Sequence, residues 1–478
     1  MLRIYNVLTG KKELFTPQTE GEVLMYACGI TASGEAHIGH AYQAVVFDVI
    51  RSYLEYSGYK VTYVRNYTDV DDKIIIKARE AGIDPYVFAK DKMASIDSDF
   101  AKLGIKPPTI QSKATDCIGD IINFISKLID KGCAYATEEG DVYFRVDSFA
   151  SYGNFSHRVE RDDQLSGVRK EIEGGKENSY DFALWKKAGN DEIFWDSPWG
   201  KGRPGWHIEC STMSMKYLGE TLDIHGGGKD LIFPHHENEI AQSEALTGKQ
   251  FSKYWIHNGL VKVNGQKMSK SLNNGIVLKD VLNEYTPDVV KLLLLSNSYR
   301  SDLNVVDGMF DILEGKVFNL YKLFAKIDEA KGEHEADTHN AYSEKIKNDF
   351  VNAMDNDFNT AQVTANLNKY ISDLTNFFNK KTETMEIVLG IKETLKEVYG
   401  VLRLLNDDPQ TVVNFIRNKY LTKNNVSVEE IESILAEWDK ARLSKDFALA
   451  DSLRSKLSEK NIIITLQQGV AGWEVALK

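Results

Sequence analysis

The chain has 478 residues, of which 42% are hydrophobic and 27% charged, with a formal net charge of −12 at pH 7. This length predicts about three domains, and the acidic balance argues against indiscriminate nucleic-acid binding while leaving room for a specific RNA partner. The absence of a long apolar run and of a signal-like start argues against a membrane or secreted protein, and four cysteines argue against a disulfide scaffold and favour the cytoplasm.

The first 117 residues predict alternating strands and helices. In chain order, these are a strand at 23–27, a helix from His40 to about Gly58, a strand at 61–64 and a helix that begins within 66–73. This order is typical of a parallel sheet covered by helices. Ligands of such sheets bind beyond the carboxyl ends of the strands, which is where we expect Cys28 and Thr68.

Residues 118–195 resemble an insertion into this α/β fold. They combine a helical pattern at 118–128, an alternating strand at 142–146 and a charged, Gly-containing segment at 158–178 that predicts a mobile loop. A second α/β stretch then predicts a strand at 222–224 and a helix at 234–246 with Pro234 in its first turn. Three glycines after His225 lack the spacing of a phosphate loop, so we interpret them as a sharp turn at the active cleft.

Beyond about residue 305 the pattern becomes helical. The polar segment 328–340 predicts a connection between helices, and amphipathic helices follow it. A last region begins near Val426 and ends in apolar residues 462–465 and Trp473, which predict a short hairpin.

Cys28 and Cys210 can be completed to a zinc site by His235 and Glu239. Zinc prefers Cys sulfur, His nitrogen and carboxylate oxygen in a tetrahedral set. On a helix, His235 and Glu239 share one face because they are four residues apart, and His236 is the poorer partner. The residues alone leave open the alternative of two buried thiols and a surface His–Glu pair.

The chain also carries runs at 37–40 and 267–271 that suit phosphate handling, and a thiolate-seeking metal beside an ATP site points to a substrate that carries a thiol. Cysteine is the obvious candidate. A soft thiolate binds zinc well and a neutral hydroxyl poorly, whereas an apolar pocket separates near-isosteres by only ~10–200-fold. Four protein ligands usually mark a closed, structural site. To accept the substrate sulfur, the site must expand to five ligands or loosen a weak one, and Glu239 is the natural ligand to loosen. Trp206 is either a wall of this pocket or a core tryptophan.

Two motifs point to phosphate chemistry. His37 and His40 flank Gly39 before a helix, where backbone N–H groups favour anions and the histidines can donate hydrogen bonds to a transferring phosphate. Lys267 and Lys270 lie in a polar loop that can stabilise charge on departing pyrophosphate. The alternatives are a capping or surface histidine and an ordinary solvated loop.

Taken together, these motifs resemble the cysteinyl-tRNA synthetases, a family of class I aminoacyl-tRNA synthetases, and the resemblance runs nearly end to end. The matching segments are 26–31, the HIGH run 37–40, 66–73, 197–200, 202–211, 223–243, the KMSKS run 267–271 and 354–360. HIGH followed by KMSKS indicates class I, and the four candidate metal ligands indicate the cysteine enzymes. The chain departs from the family pattern at 32–36 and at Tyr42.

The resemblance implies an α/β fold in which a class I Rossmann-type catalytic domain with a connective insertion precedes mostly helical tRNA-binding domains. The implied segments are the first Rossmann half at 1–117, the insertion at 118–195, the second half at 196–265, a KMSKS and stem-contact region at 266–310, a helical bundle at 311–410 and a small anticodon-binding domain at 420–478.

The implied reaction is ATP-dependent activation of L-cysteine to cysteinyl-adenylate, followed by transfer to the 3′-terminal adenosine of tRNA(Cys). It implies one Zn²⁺ per chain, ATP with Mg²⁺ as substrate, a monomer and a cytoplasmic location. The implied zinc ligands are Cys28, Cys210, His235 and Glu239. The implied ATP-binding residues are His37, Gly39, His40, Lys267 and Lys270, and all but Gly39 are expected to be catalytic. The implied cysteine-binding residues are Cys28, Thr31, Thr68, Trp206 and His225.

Two rival functions stay open at this point. A related ligase would activate cysteine with the same core and pass it to an amino-sugar, but the helices at 426–460 favour the synthetase. A noncatalytic RNA-binding or zinc-stabilised module would need neither HIGH nor KMSKS.

Overall fold

The computed structural model describes residues 1–157, 175–189, 193–268, 274–467 and 469–477. Most of the loop predicted at 158–178 lies outside these residues. Within the described ranges, no helix combines the length and the apolar character needed to cross a membrane.

The first half of the chain alternates strands and helices. Its strands are β1 (Arg3–Asn6), β2 (Lys11–Leu14), β3 (Glu22–Thr31), β4 (Lys60–Thr68), β5 (Ile110–Lys113), β6 (Ala134–Ala136), β7 (Val142–Phe144), β8 (Phe182–Lys187), β9 (Gly202–Pro204), β10 (Leu222–Gly228) and β11 (Ser252–Asn258). Its helices are α1 (Ile38–Tyr56), α2 (Asp72–Ala81), α3 (Pro85–Lys102), α4 (Ile118–Asp130), α5 (Trp206–Leu218) and α6 (Glu237–Thr247), with short helical turns at Ala114–Cys117, Val146–Ser148, Lys229–Leu231 and Ile232–His236.

A five-stranded sheet of order β11-β10-β3-β4-β5 forms the centre, and every neighbouring pair in it is parallel. This confirms the predicted parallel sheet. The chain proceeds from β3 towards β5 on one side and from β10 to β11 on the other, so the strand order reverses between β3 and β10. A crevice at such a reversal, outside the carboxyl ends of the strands, is the usual ligand site of an open α/β sheet.

The three glycines after His225 continue strand β10, so the turn predicted there is wrong. A Cβ at Gly226 would lie 2.2 Å from the carbonyl oxygen of Ile256 on β11 and 2.6 Å from the Phe47 ring of α1. The glycines therefore permit close packing of strand and helix rather than a change of chain direction.

Two further boundaries differ from the sequence prediction. Strand β3 runs past Cys28 to Thr31, with an irregular register between Ala27 and Ile30. Pro234 lies in the wide turn Ile232–His236 that precedes α6, and not in the first turn of the helix.

The insertion contains α4 and an antiparallel sheet of order β6-β7-β8-β9. Helix α4 confirms the helical pattern at 118–128, while the predicted strand at 142–146 ends at Phe144. Strand β9 completes this sheet and leads directly into α5.

The second half becomes helical after a small three-stranded sheet of order β13-β12-β14. Its elements are β12 (Val261–Val263), β13 (Gln266–Lys267), α7 (Leu278–Glu284), α8 (Pro287–Leu294), β14 (Leu303–Val305), α9 (Met309–Ala330), α10 (Ala341–Met354), α11 (Thr360–Lys380), α12 (Met385–Gly400), α13 (Pro409–Lys423), α14 (Val428–Leu443), α15 (Phe447–Glu459), β15 (Ile462–Gln467) and β16 (Val470–Val475). The antiparallel pair β15–β16 confirms the predicted hairpin. One continuous apolar core joins α1 and the central sheet to these helices.

Candidate functional site

The four predicted metal ligands meet at the crevice between β3 and β10. Cys28 lies in β3, Cys210 in α5, His235 in the wide turn before α6 and Glu239 in the first turn of α6. One donor atom from each lies within 4.8 Å of all the others, and all four residues are buried. The structure thus brings together a set drawn from three separate parts of the chain.

A second set of donors overlaps the first. Cys28 and Glu239 also lie within 4.8 Å of His225 and His236. His236 Nε2 is 3.9 Å from Glu239 Oε1, against 3.1 Å for His235 Nε2, which confirms His236 as the poorer partner of that carboxylate. However, His236 Nε2 lies 3.3 Å from Cys28 Sγ, a contact that spacing along a helix did not predict.

Burial and neighbouring charges act in opposite directions on the pKa values of this cluster. Burial raises the pKa of the Cys28 thiol well above its usual value. Burial alone would also raise the pKa of Glu239, but His225 and His235 hold it well below its usual range. Burial alone would lower the pKa of His235, yet the neighbouring Cys210 and Glu239 raise it to about 10. Strongly perturbed pKa values of this kind are typical of functional sites.

The donor chemistry fits a zinc ion. Two thiols, an imidazole and a carboxylate match the ligand types that zinc prefers. His235 Nε2 and Glu239 Oε2 are buried without a hydrogen-bond partner among the described residues, although an ionisable neighbour lies 3.1 Å from the first atom and 3.2 Å from the second. Behind the cluster, His207 Nδ1 lies 2.8 Å from His235 Nδ1, the position from which an outer residue orients a ligating imidazole.

Two of the predicted cysteine-binding residues, His225 and Trp206, contact this cluster. His225 Nε2 lies 3.7 Å from Cys28 Sγ. The Trp206 ring lies 4.2 Å from the His235 ring between centroids and is 40% exposed, so Trp206 is not a core tryptophan. Thr31 and Thr68 are register partners at the ends of β3 and β4.

Sequence reasoning missed three polar residues that support these positions. The buried Glu209 accepts a hydrogen bond from Thr68 Oγ1 at 2.8 Å. Asn66 Oδ1 accepts a hydrogen bond from the Gly29 backbone N–H at 2.8 Å. Gln43 donates a hydrogen bond to the Cys28 carbonyl oxygen. Nothing in the local sequence distinguishes these residues, because each contact joins two elements that lie apart along the chain.

The HIGH residues form the amino-terminal cap of α1. His37 Nδ1 accepts hydrogen bonds from the backbone N–H groups of Gly39 and His40 at 3.1 and 3.3 Å. The rings of His37 and His40 stack with their centroids 3.6 Å apart. The two histidines therefore share one orientation at a helix start, the place where a phosphate is favoured.

The start of the KMSKS run lies against HIGH. A Cβ at Gly39 would lie 3.2 Å from Met268 Cε, so Gly39 allows the two segments to approach. Past the run, backbone hydrogen bonds of 2.9 Å join Ile38 to Ile276 and Leu278 to Ala36. Lys267 is exposed in β13, and the predicted Lys270 lies outside the described residues.

The predicted metal site and the predicted nucleotide site both include residues of helix α1. Its start carries the HIGH histidines, and Gln43 in the next turn reaches the Cys28 backbone of the metal cluster. Tyr42, where the chain departs from the family pattern, is buried. Its hydroxyl donates a hydrogen bond to the Tyr299 carbonyl at 3.0 Å, which joins α1 to the segment before β14.

Family models and curated proteins match this chain over most of its length. The chain matches the family described as tRNA synthetases class I (C) catalytic domain over residues 14–312 and the DALR domain over residues 349–406. It is 45% identical to the cysteine--tRNA ligase of Geobacter metallireducens, with 99% of each chain covered. It is 44% identical to that of Thermodesulfovibrio yellowstonii, with 100% of each chain covered.

Solved structures of lower identity share the fold. The methionyl-tRNA synthetase of Mycobacterium tuberculosis in complex with methionyl-adenylate has a TM-score of 0.56 at 14% identity, covering 86% of this chain and 95% of that one. The LeuRS ternary complex of Agrobacterium radiobacter K84 has a TM-score of 0.60 at 12% identity, covering 84% of this chain and 86% of that one.

Proposed function

Because this chain belongs to the cysteine--tRNA ligase family of class I aminoacyl-tRNA synthetases, we propose that it activates L-cysteine with ATP and transfers it to the 3′-terminal adenosine of tRNA(Cys). In the first step, a carboxylate oxygen of cysteine attacks the α-phosphorus of ATP, and the bond to pyrophosphate breaks. In the second step, a ribose hydroxyl of the tRNA attacks the aminoacyl carbonyl, AMP leaves, and the hydroxyl proton is released.

One observation supports the proposed specificity for cysteine. The donor atoms of Cys28, Cys210, His235 and Glu239 lie within 4.8 Å of one another at the strand-order reversal. These residues would hold one zinc ion, which when bound supplies a Lewis acid that prefers a thiolate to a hydroxyl.

The remaining residues of the pocket position the substrate. Trp206 and His225 wall the cluster on two sides, and Thr31 and Thr68 close the strand ends beside it. The hydrogen bond from Thr68 to the buried Glu209 fixes one hydroxyl of this wall. A fixed wall matters because positioning is a large part of catalysis when no protein nucleophile is used.

HIGH and KMSKS handle the nucleotide. We assign His37 and His40, which are held as one stacked pair at the start of α1, to hydrogen bonds with a phosphate of ATP. We assign Gly39 to close approach of ATP, and Lys267 and Lys270 to the charge that develops on pyrophosphate, with Mg²⁺ accompanying ATP.

The domain roles follow the same proposal. The insertion at 118–195 and the segment 266–310 would lie beside the acceptor end of the tRNA, the helices at 311–410 along its body, and residues 420–478 at the anticodon. We expect a cytoplasmic monomer.

Two assays test the function. Cysteine-dependent exchange between ATP and pyrophosphate measures activation, and charging of tRNA(Cys) measures transfer. Exchange without charging would favour the small-molecule ligase that passes cysteine to an amino-sugar. Absence of both reactions would favour a noncatalytic module.

A further inference from the structure

A turn between α10 and α11 of the helical bundle has a strained backbone. Asp357 and Phe358 lie in this turn, and both have positive φ angles, 68° and 51°. Residues other than glycine rarely adopt this left-handed region, and they keep it only where the surrounding structure holds them. Asp357 is also buried, although it carries a carboxylate. The contacts of Asp357 therefore show what this turn is held against.

The carboxylate of Asp357 binds two separate parts of the catalytic half of the chain. Its Oδ1 accepts hydrogen bonds from the Tyr5 backbone N–H and from the Tyr299 hydroxyl, both at 2.8 Å. Its Oδ2 lies 3.0 Å from Nε of Arg300. The bundle is thus fastened to strand β1 and to the segment 298–302 that precedes β14.

The segment 298–302 contacts both parts of the proposed nucleotide site. The Tyr299 carbonyl oxygen accepts the hydrogen bond from the hydroxyl of Tyr42, which is buried in the second turn of α1. Asp302 Oδ2 lies 3.1 Å from Lys262 Nζ on β12, and β12 pairs with β13 at the start of the KMSKS run. The segment therefore joins the HIGH helix to the strand that leads to KMSKS.

The strained turn also contacts the other end of α1. The Tyr53 hydroxyl donates a hydrogen bond to Asp355 Oδ1 at 2.9 Å, and the Tyr53 ring meets the Phe358 ring edge-on with centroids 6.1 Å apart. Helix α1 is thus fixed to the bundle near its carboxyl end by Tyr53. Near its amino end it is fixed by Tyr42, through Tyr299.

We propose that Tyr42 and Tyr299 are positioning residues for adenylate formation, an assignment that rests on the function proposed above. Their two hydrogen bonds act in series between the Asp357 carboxylate and α1, and they fix the helix start where His37 and His40 stack. Neither tyrosine belongs to the metal cluster. Because a reaction without a protein nucleophile depends on positioning, movement of this helix start should slow the reaction of ATP and leave cysteine binding unchanged.

The single-turnover rate of adenylate formation at saturating ATP and cysteine, measured with the KM for cysteine, tests this assignment. Tyr42→Phe and Tyr299→Phe each remove one hydroxyl and keep the ring. Each should slow adenylate formation by about 2- to 10-fold, which corresponds to the net contribution of one hydrogen bond. The KM for cysteine and the zinc content should not change. Because the two bonds act in series, the double variant should be about as slow as the slower single variant.

Tyr399→Phe is the matched control. Tyr399 is buried, and its hydroxyl donates a hydrogen bond to the Val363 carbonyl at 2.8 Å inside the bundle. This variant should lower the unfolding temperature about as much as Tyr42→Phe does, but it should keep the rate of adenylate formation.

Three results would overturn the positioning role: an unchanged rate in Tyr42→Phe or Tyr299→Phe, an equal loss of rate in Tyr399→Phe, or additive losses in the double variant. Pyrophosphate exchange by the unsubstituted protein is measured in parallel. Its absence would refute the proposed function together with this assignment, whereas an active parent whose rate neither tyrosine affects would refute the positioning role alone.

Discussion

Replacing Gly226 with alanine should destabilise the central sheet. The added Cβ would lie 2.2 Å from the Ile256 carbonyl oxygen and 2.6 and 2.8 Å from two atoms of the Phe47 ring. Ordinary contacts need more than 3 Å, so β10 must move away from β11 or α1 by close to an ångström. Overpacking of this kind costs about 1–3 kcal/mol. Because the neighbouring His225 lies 3.7 Å from Cys28 Sγ, the movement should also reduce cysteine activation.

Thermal unfolding and cysteine-dependent pyrophosphate exchange measure the two effects. In a domain of about 150–250 residues, each kcal/mol lowers the unfolding temperature by roughly 2–4 °C. Gly119→Ala is the matched control, because Gly119 lies in the first turn of α4 with nothing within 4 Å of a Cβ. This substitution should leave stability unchanged or slightly increased. An unfolding temperature and an exchange rate that Gly226→Ala leaves unaltered would refute the packing explanation of the three glycines.

Three further predictions concern the metal cluster, the nucleotide site and a surface charge cluster. Cys28→Ser should lose zinc together with selectivity, so that cysteine is preferred over serine by no more than the ~10–200-fold of an apolar pocket. Cys117→Ser, at a buried thiol outside the cluster, should keep both zinc and selectivity. Elemental analysis measures the zinc, and pyrophosphate exchange with each amino acid measures the selectivity. Lys267→Ala should slow adenylate formation by about 100-fold with zinc content unchanged, and a normal single-turnover rate would count against its role. Burial raises the pKa of Asp302, but Lys229 and Lys262 outweigh this effect and lower the pKa to about 2. The ion pairs of Asp302 therefore stabilise the fold above pH 4, and this stabilisation is lost as the pH falls towards 2. The difference in unfolding temperature between the parent and Asp302→Asn should shrink over that range, and a constant difference would contradict the ion pairs.

The sequence predicted those parts of the molecule that depend on local pattern. Period and composition were enough for strand β4, helix α4 and the terminal hairpin, because β-branched and aromatic runs and a helical apolar stripe are local signals. The four-ligand set was chemically sensible from the residue types, but its members lie far apart along the chain. The resemblance to a known family, and not spacing, joined Cys28 to Cys210.

Contacts that depend on how strands and helices are arranged in space could not be predicted from local sequence patterns. His225 meets Cys28 because β10 pairs with β3 in parallel, and no local pattern encodes which strands become neighbours. The same is true of Thr68 and Glu209, which meet across β4 and α5. The glycines of β10 misled the prediction for a related reason, since a tight turn and a close strand contact both need residues without a side chain.

The metal content of the purified protein, measured with its amino-acid preference, tests the central claim most directly. The purified protein should contain about one zinc ion per chain, and a Cys210→Ser protein should lose zinc and cysteine-dependent exchange in parallel. Protein that contains no zinc and still activates cysteine in strong preference to serine would contradict it.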